Sequence, residues 1–442
     1  MLPQNMSMGI EEIIDLDFSV KRVGTPTLES TLKDVIFVDD NEMVAYCADP
    51  AVNAEILAKG KKVPAFLAAG PRRQLYHDAS WTRAAIVTCG GICPGLNDVI
   101  KALVNTLYYT YGVDNIFGIQ YGYSGLIPSY GLKPVILTPD VVDDIHTTGG
   151  TILGSSRGAQ DEVEMVKTLE RLNINILFTI GGDGTQRGAH AIAQEIQKRK
   201  LPICVVGIPK TIDNDLNFME KTFGFETAVQ TAAPIISCAH NEAKGCYNGI
   251  GLIKLMGRDS GFIAAYASLA NSLVNFCLIP EVPFTLMGDH GFLPALEKRL
   301  SQKHHAVIVV AEGAGQQLFQ EGEAVLDKSG NKLHNDIGVF LKDAILKYFK
   351  YKNIECGVKY FDPSYNIRST PANGMDSIFC LHLAQHAVHA AMAGMTDIVV
   401  GNWQGYFTYV PIALATMYRR KIDPRGQLWQ SVLLANRQDR YW

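Results

Sequence analysis

Short apolar runs rich in β-branched residues recur from residue 84 onward, and they constrain the fold more than any other feature. Each run is continuous rather than alternating, which is typical of strands buried on both faces of a parallel sheet. Helical periodicity separates several of them, as in 161–173, where Val163, Val166 and Leu169 share one face. The runs are 84–89, 115–120, 175–180, 203–208, 251–256, 275–280, 306–311 and 397–401. We therefore predict an α/β fold of doubly wound, Rossmann-like parallel sheets with right-handed crossovers.

Composition narrows the classes of function. The 442 residues suffice for two large domains or about three smaller ones, and the 47% hydrophobic content supports a large buried core. A net charge of -4 without any basic run argues against a nucleic-acid partner. No apolar stretch is long enough for a membrane span, and we expect no membrane partner. The nine scattered cysteines indicate reduced thiols and a cytoplasmic location, with Cys89 and Cys93 as buried small hydrophobes rather than zinc ligands.

Ligands of such sheets bind beyond the carboxyl ends of the strands, so the loops that follow the runs are the candidate sites. After the first run, Gly90 and its neighbours precede a helix that we expect to begin near Leu96. Backbone N–H groups at such a helix start can bind phosphate, although a tight turn alone also explains the glycines. A second glycine cluster leads to Arg157 and Gly158, where a guanidinium beside bare backbone suits phosphate as well as solvent.

The stretch "IGGDGTQRG" places a carboxylate, Asp183, between Gly182 and Gly184. A carboxylate would repel a phosphate directly, but Mg²⁺ bound to nucleotide phosphates is usually held by one or two carboxylates. We therefore interpret Asp183 as a magnesium ligand and the glycines as space for phosphates. The alternative is a helix N-cap or an Asx turn, which would not require so many glycines.

The loop after 203–208 contains Lys210, Thr211, Asp213 and Asp215 within six residues. In extended geometry the threonine and the two aspartates would share one face. A carboxylate pair beside a lysine is suited to taking a proton from a hydroxyl next to a phosphate. A capped turn before the next helix would explain one aspartate, but not two together with a lysine.

Isolated polar residues also follow the later runs, in glycine and proline turns. Each has an ordinary structural explanation when taken alone, but together they predict a second anion site with groups for uncharged hydroxyls. They are Met256, Gly257, Arg258, Glu281, Lys359, Tyr365 and Arg368. Two phosphate-bearing ligands, a metal and a base indicate phosphoryl transfer to an alcohol. The chain has neither a Walker A sequence nor the motif set of protein kinases.

Seven motifs in order give the chain its family resemblance. They are "TCGGICPGLND", "GGDGTQRGA", "VVGIPKTIDNDL", "KLMGRDSGFIAAYASLA", "LIPEVPF", "VVAEGAGQ" and "DPSYNIRS". From about Arg72 to Trp429 the sequence resembles the 6-phosphofructokinase family, and most of all its ATP-dependent plant-like and trypanosomal-like branch. The resemblance implies transfer of phosphate from ATP with Mg²⁺ to fructose 6-phosphate, giving fructose 1,6-bisphosphate.

The resemblance also implies roles for individual residues. The nucleotide positions are Gly90, Arg157, Gly158, Gly182, Asp183, Gly184, Thr185 and Gly188. The sugar-phosphate positions are Thr211, Ile212, Asp213, Met256, Gly257, Arg258, Glu281, Lys359, Tyr365 and Arg368. The catalytic positions are Lys210, Thr211, Asp213 and Arg258. Within these sets Asp183 is the magnesium position and Asp213 is the base for the 1-hydroxyl. Asp215, which is outside these sets, supports the metal region.

Domain organisation follows from the same resemblance. It implies an N-terminal extension (1–82), a nucleotide-binding domain (83–220 and 369–420) and a sugar-phosphate-binding domain (221–368 and 421–442), with the active site in the cleft between the two domains. It further implies a homo-oligomer, either a dimer or a tetramer, and a small-molecule effector. Gly249 stands where bacterial relatives place an interface arginine, which puts that cross-subunit contact in doubt.

Two residues bear on the phosphoryl donor. Lys210 is typical of pyrophosphate-dependent relatives, which usually carry an aspartate where this chain has Gly184. A carboxylate at that position would crowd and repel the α-phosphate of ATP, so Gly184 favours ATP. Pyrophosphate remains the alternative donor. More remote alternatives are an NAD or lipid kinase that shares the G-G-D-G-T turn, and a non-catalytic regulatory subunit.

Overall fold

The computed structural model describes residues 10–319 and 334–439. These residues divide into two compact units, 10–224 with 369–419, and 225–368 with 420–439. The strands are β1 (Lys21–Arg22), β2 (Leu28–Glu29), β3 (Met43–Ala45), β4 (Ala65–Ala68), β5 (Gln74–Leu75), β6 (Arg83–Thr88), β7 (Asn115–Ile119), β8 (Val135–Ile136), β9 (Ile176–Gly181), β10 (Cys204–Pro209), β11 (Gly249–Leu255), β12 (Phe276–Leu278), β13 (His305–Ala311), β14 (Gly357–Phe361), β15 (Met395–Thr396), β16 (Ile398–Trp403) and β17 (Tyr406–Pro411).

The helices are α1 (Ile10–Ile13), α2 (Pro50–Ala58), α3 (Leu96–Asn105), α4 (Glu162–Arg171), α5 (Asp183–Arg199), α6 (Phe225–Lys244), α7 (Phe262–Asn271), α8 (Phe292–Lys303), α9 (Ile337–Tyr351), α10 (Ser364–Ser369), α11 (Gly374–Met392), α12 (Ile412–Ala415) and α13 (Gln427–Asn436). Short 3₁₀ turns and one π-helical segment, Thr106–Thr110, connect some of them. All eight apolar runs form strands, and α3 begins at Leu96, so these predictions are confirmed. In the described part of the chain, no helix combines the length and apolarity needed to cross a bilayer.

The first unit contains a nine-stranded sheet in the order β3-β4-β17-β16-β10-β9-β6-β7-β8. Its five central strands, from β16 to β7, are parallel, as the continuous apolar runs predict. The flanking strands run antiparallel, so the sheet is mixed rather than wholly parallel. Helices α3 and α11 share one buried cluster with the sheet, in which alternate strand residues such as Ile86 and Phe178 participate. Helix α5 packs on β9 and β10, which together with α3 and α11 gives the layered α/β arrangement.

The second unit contains a four-stranded sheet in the order β12-β13-β11-β14, and every pair in it is parallel. Apolar residues of β11 and β13, such as Leu252 and Ile308, are fully buried. Helices α8 and α9 contribute to the same cluster, and α6 packs along β11, β13 and β14. Because all four strands point the same way, their carboxyl ends lie along one edge of this sheet.

Candidate active site

Three loops meet at the carboxyl edge of the first unit's sheet. Strands β10, β9 and β6 are neighbours, with Pro209 paired to Gly181 and Thr88 paired to Ile180. The loops that begin at Cys89, Gly182 and Lys210 therefore start side by side. The expectation that these three motifs share one site edge is met by the geometry of the first unit.

Two cations approach the glycine loop after β6. Gly90 has a left-handed φ of +88°, and a Cβ at this position would lie 3.1 Å from Nζ of Lys210. That ammonium donates a hydrogen bond to the Gly91 carbonyl (2.6 Å), and Lys210 is only 7% exposed. Nη2 of Arg157 would lie 3.0 Å from a Cβ at Gly91. Bare backbone thus lets a buried lysine and an exposed arginine converge on one loop.

The segment that carries Arg157 is fastened to the same loop. The Gly90 N–H donates to the Ser156 carbonyl (2.9 Å), and the Ser155 hydroxyl donates to the Gly90 carbonyl (2.5 Å). The Thr88 hydroxyl donates to the Gly154 carbonyl (2.7 Å). Gly158 then has a φ of +107°, which an L side chain rarely adopts. These bonds fix the position of the arginine relative to the glycine loop.

Asp183 is the first residue of α5, and the N-cap of that helix is Gly182. The N-cap alternative for Asp183 is therefore wrong. Its carboxylate lies 2.5 Å from Arg187 and 3.5 Å from Arg419, and its side chain is 10% exposed. A carboxylate in the first turn is also favoured by the helix dipole.

The Thr211–Asp215 segment is a turn, so the prediction of an extended segment with three side chains on one face is wrong. Asn214 has a left-handed φ of 54°, which ends the alternation of side chains. The turn still links the polar groups, because the Thr211 hydroxyl donates to Oδ1 of Asp215 (2.7 Å) and accepts from the Asp213 N–H (3.3 Å). Burial raises the pKa of Asp215; Thr211 and Arg419 lower it, and Asp183 raises it.

Asp183 and Asp215 fit a magnesium ion that is also bound by substrate. The two carboxylates interact electrostatically and share the neighbourhood of Arg419. Among the described residues, no group of three or more His, Cys, Asp or Glu side chains forms a metal cage. Mg²⁺ bound through phosphates needs only one or two protein carboxylates, since phosphate oxygens and water complete its shell. The donor set is thus appropriate for Mg²⁺ on a phosphate chain.

The glycines of α5 differ in what they allow. A Cβ at Gly184 would meet nothing within 4 Å, whereas a Cβ at Gly188 would lie 2.7 Å from the Tyr123 ring. The Tyr123 hydroxyl donates to the carbonyl of Thr185 (2.7 Å), whose own side chain covers Gly181. Packing therefore requires glycine at 188 but not at 184.

In the second unit, the loop after β11 carries Met256, Gly257 and Arg258. Gly257 has a φ of +129°, and a Cβ there would lie 2.5 Å from the Ser260 carbonyl oxygen. Nε of Arg368 donates to the sulfur of Met256 (3.2 Å), so two predicted sugar-phosphate residues are in contact. Tyr365 lies on α10 and is 79% exposed.

Glu281 and Lys359 have other partners. Oε1 of Glu281 accepts from the N–H groups of Gly261 (3.0 Å) and Ile422 (2.9 Å), and burial raises the pKa of this carboxyl group. Lys359 lies in the middle of β14 opposite Gly251, with its ammonium 3.9 Å from a Glu242 carboxylate oxygen. Glu281 therefore caps the start of α7, and Lys359 lies two residues before the end of β14.

One carboxylate at the carboxyl edge was missed by the sequence interpretation. Glu312 follows β13, and its N–H donates to the Leu255 carbonyl (2.9 Å), beside the Met256–Arg258 loop. Burial lowers the pKa of His334; Arg258 also lowers it and Glu312 raises it, so all three side chains share one electrostatic environment. The signal was available, because "VVAEG" places a carboxylate directly after a buried run.

Gly249 cannot carry a side chain in this backbone. A Cβ there would overlap the Ala243 carbonyl oxygen at the end of α6. An arginine at this position would require α6 and β11 to separate.

In each unit, loops that carry glycines, cations and carboxylates follow the carboxyl ends of parallel strands, which places the chain in the class of two-unit α/β enzymes. The chain belongs to the phosphofructokinase family, whose members it matches over residues 83–391. It is 55% identical to an ATP-dependent 6-phosphofructokinase of Borreliella burgdorferi over 83% of each chain. It is 48% identical to an ATP-dependent 6-phosphofructokinase of Trypanosoma brucei brucei over 82% of this chain and 74% of that one. The resemblance inferred from the motifs is confirmed.

Solved structures agree on the fold. A pyrophosphate-dependent phosphofructokinase from Marinobacter aquaeolei superposes with a TM-score of 0.66 at 18% identity. The superposition covers 80% of this chain and 91% of that chain. The predicted α/β architecture is therefore confirmed.

Proposed function

We propose that this enzyme transfers the γ-phosphoryl group of ATP to the 1-hydroxyl of fructose 6-phosphate, producing ADP and fructose 1,6-bisphosphate. One observation carries the proposal above all. At neighbouring carboxyl ends of one sheet, a glycine loop with two cations adjoins the Asp183 turn and the Thr211–Asp215 turn. Phosphoryl transfer needs this combination of charge neutralisation and a positioned proton acceptor.

The nucleotide phosphates are assigned to the first unit. Backbone N–H groups at the start of α5 would bind phosphate oxygens beside the Gly90 loop, with Lys210 and Arg157 neutralising their charge. Asp183 and Asp215 would hold Mg²⁺, which neutralises charge on the phosphate chain when bound. Lys210 is fixed by its bond to the Gly91 carbonyl and therefore presents its charge without reorganisation.

Asp213 is assigned as the general base. Its carboxylate takes the proton of the 1-hydroxyl while the sugar oxygen forms a bond to the γ-phosphorus and the bond to the ADP oxygen breaks. The Thr211 hydroxyl supports this role, because it accepts the Asp213 N–H and donates to Asp215, which fixes the turn. Ile212 lies between these residues and would contact the sugar.

The sugar phosphate is assigned to the second unit, where Arg258 and Arg368 lie on the loop and helix that contact each other through Met256. Their guanidinium groups would bind the 6-phosphate. Tyr365 is exposed and would donate to it as well. Glu312 would accept hydrogen bonds from sugar hydroxyls. Lys359 in β14 and Glu281, which caps the start of α7, would contribute to sugar-phosphate binding by holding these elements in place.

ATP is the proposed donor. Open space at Gly184 supports this choice, since no protein group demands a glycine there. Relatives at 48–55% identity are named ATP-dependent. The test is a donor assay on purified protein with fructose 6-phosphate and Mg²⁺. Fructose 1,6-bisphosphate should form with ATP. Formation with pyrophosphate but not with ATP would refute the donor assignment.

Domain roles and assembly belong to the same proposal. Residues 83–220 with 369–420 would bind nucleotide, and residues 221–368 with 421–442 would bind sugar phosphate. We further propose a cytoplasmic homo-oligomer, a dimer or tetramer, that responds to a small-molecule effector. Light scattering of the purified protein gives the oligomeric state, and a monomer would contradict this part.

A further inference from the structure

Tyr121 combines an unfavourable backbone with an exposed ring. It follows β7 with φ 53° and ψ 48°, the left-handed region that large side chains seldom occupy. The ring is nevertheless 52% exposed, so burial in the core does not explain the residue. Glycine or asparagine would adopt this conformation at lower cost. Backbone strain retained for an exposed aromatic side chain is a reason to look for a ligand.

The Tyr121 ring is held against the segment that forms the phosphate loop. A Cβ at Gly154 would lie 2.7 Å from Cδ1 of the ring, so the bare glycine is what admits the tyrosine. The Tyr121 N–H donates to the Leu153 carbonyl (2.8 Å). Three residues after Leu153, the Ser156 carbonyl accepts the Gly90 N–H. One short segment therefore positions the aromatic ring and the glycine loop together.

The order of the strands gives the ring its place relative to a nucleotide. The proposed base, the carboxylate turn and the glycine loop follow β10, β9 and β6, which are consecutive in the sheet, and Tyr121 follows β7, the next strand. Neighbouring strands lie about 4.8 Å apart, so these four loops form one row. A triphosphate along the first three loops directs its nucleoside toward the fourth.

We propose that Tyr121 is a stacking platform for the adenine base of ATP, an inference that rests on the proposed function. A planar purine stacks on an exposed aromatic face and gains affinity without needing a specific hydrogen bond. Tyr121 is thus a nucleoside-binding residue, separate from the groups that hold the phosphates.

The experiment compares Tyr121→Asn, which tolerates the left-handed backbone but lacks the ring, with Tyr121→Phe, which keeps the ring. Tyr130→Asn is the matched control, because Tyr130 is 54% exposed in a separate short turn. The dissociation constant is measured for ATP and for inorganic tripolyphosphate, which has no base. Tyr121→Asn should raise the constant for ATP about tenfold and leave that for tripolyphosphate unchanged. Tyr121→Phe and the control should bind both as the wild type does.

Unchanged ATP binding in Tyr121→Asn, or an equal loss for both compounds, would overturn the assignment. If that variant does not fold, Tyr121→Gly replaces it with the same expected outcome. A wild-type protein that fails to phosphorylate fructose 6-phosphate would refute the proposed function instead. The Tyr121 comparison is a binding measurement, so the two failures are distinguishable.

Discussion

Substitutions at Gly184 separate the needs of the fold from those of the nucleotide. Gly184 lies in the first turn of α5, and a Cβ there meets nothing within 4 Å. In a helix alanine is more favourable than glycine by about 0.5–1 kcal/mol. We expect Gly184→Ala to raise the midpoint of thermal unfolding by about 1–4 °C. If phosphates occupy the space, the same change should weaken ATP binding.

Gly184→Asp adds charge to the same test. A carboxylate in the first helical turn is stabilising by itself, so this variant should also fold. At about 5 Å from a phosphate charge and an effective dielectric constant of about 20, the repulsion is about 3 kcal/mol. The KM for ATP should therefore rise about a hundredfold. The KM for fructose 6-phosphate should change little.

Gly374 provides the matched control, because it begins α11 and a Cβ there also meets nothing within 4 Å. Gly374→Ala and Gly374→Asp should shift thermal unfolding as the Gly184 variants do, without changing either KM. The assays are thermal unfolding followed by circular dichroism and steady-state kinetics with each substrate varied. Normal ATP kinetics in Gly184→Asp, or unfolding of Gly184→Ala, would refute the reasoning.

Three further predictions concern other carboxylates and the buried histidines. Asp213→Asn should reduce kcat at least a hundredfold while equilibrium binding of both substrates persists, and near-normal turnover would remove Asp213 as the base. Glu281→Gln should lower stability by about 1–2 kcal/mol in chemical denaturation, because it weakens charged hydrogen bonds to backbone. Glu312→Gln should instead raise the KM for fructose 6-phosphate with little change in stability, and the reverse pattern would exchange their roles. Burial lowers the pKa of His386 to about 4 and of His389 to about 3. The unfolded chain therefore binds protons first as pH falls below about 6.5, and stability is lost from there toward pH 4. The midpoint of thermal unfolding should drop between pH 7 and pH 5. An equally steep drop in a variant with glutamine at both histidines would show that they are not its cause.

The central strands of the fold were predictable because burial on both faces leaves continuous apolar runs. The antiparallel strand β17 was not predicted, although a signal exists. Gln404 and Gly405 both have positive φ values, 50° and 81°, and form a two-residue hairpin turn after β16. The pair Gln-Gly is a weaker indicator of that turn than Asn-Gly. Strands β3 and β4 are short, and the pairing of β4 with β17 joins residues more than 300 positions apart.

The candidate site was predictable to the extent that strand order brings loops together. Motifs that directly follow strands, such as those at Gly90 and Asp183, therefore met as expected. Contacts from distant segments were not predictable, since nothing local encodes them. Arg419 reaches Asp183 across 236 positions, and Glu281 binds the N–H of Ile422 across 141.

The outer edges of the nine-stranded sheet carry a consequence for association between molecules. The outermost strands, β3 and β8, have three and two residues, whereas the inner strand β17 has six. An edge strand this short offers few free N–H and C=O groups to a strand of another chain. Strand β4 pairs with β17, and β3 pairs with β4. A chain that began at residue 83, where the family match starts, would therefore expose the six-residue strand β17 as an edge strand. Residues 43–68 thus protect β17 against pairing with a strand of another molecule, and so against aggregation.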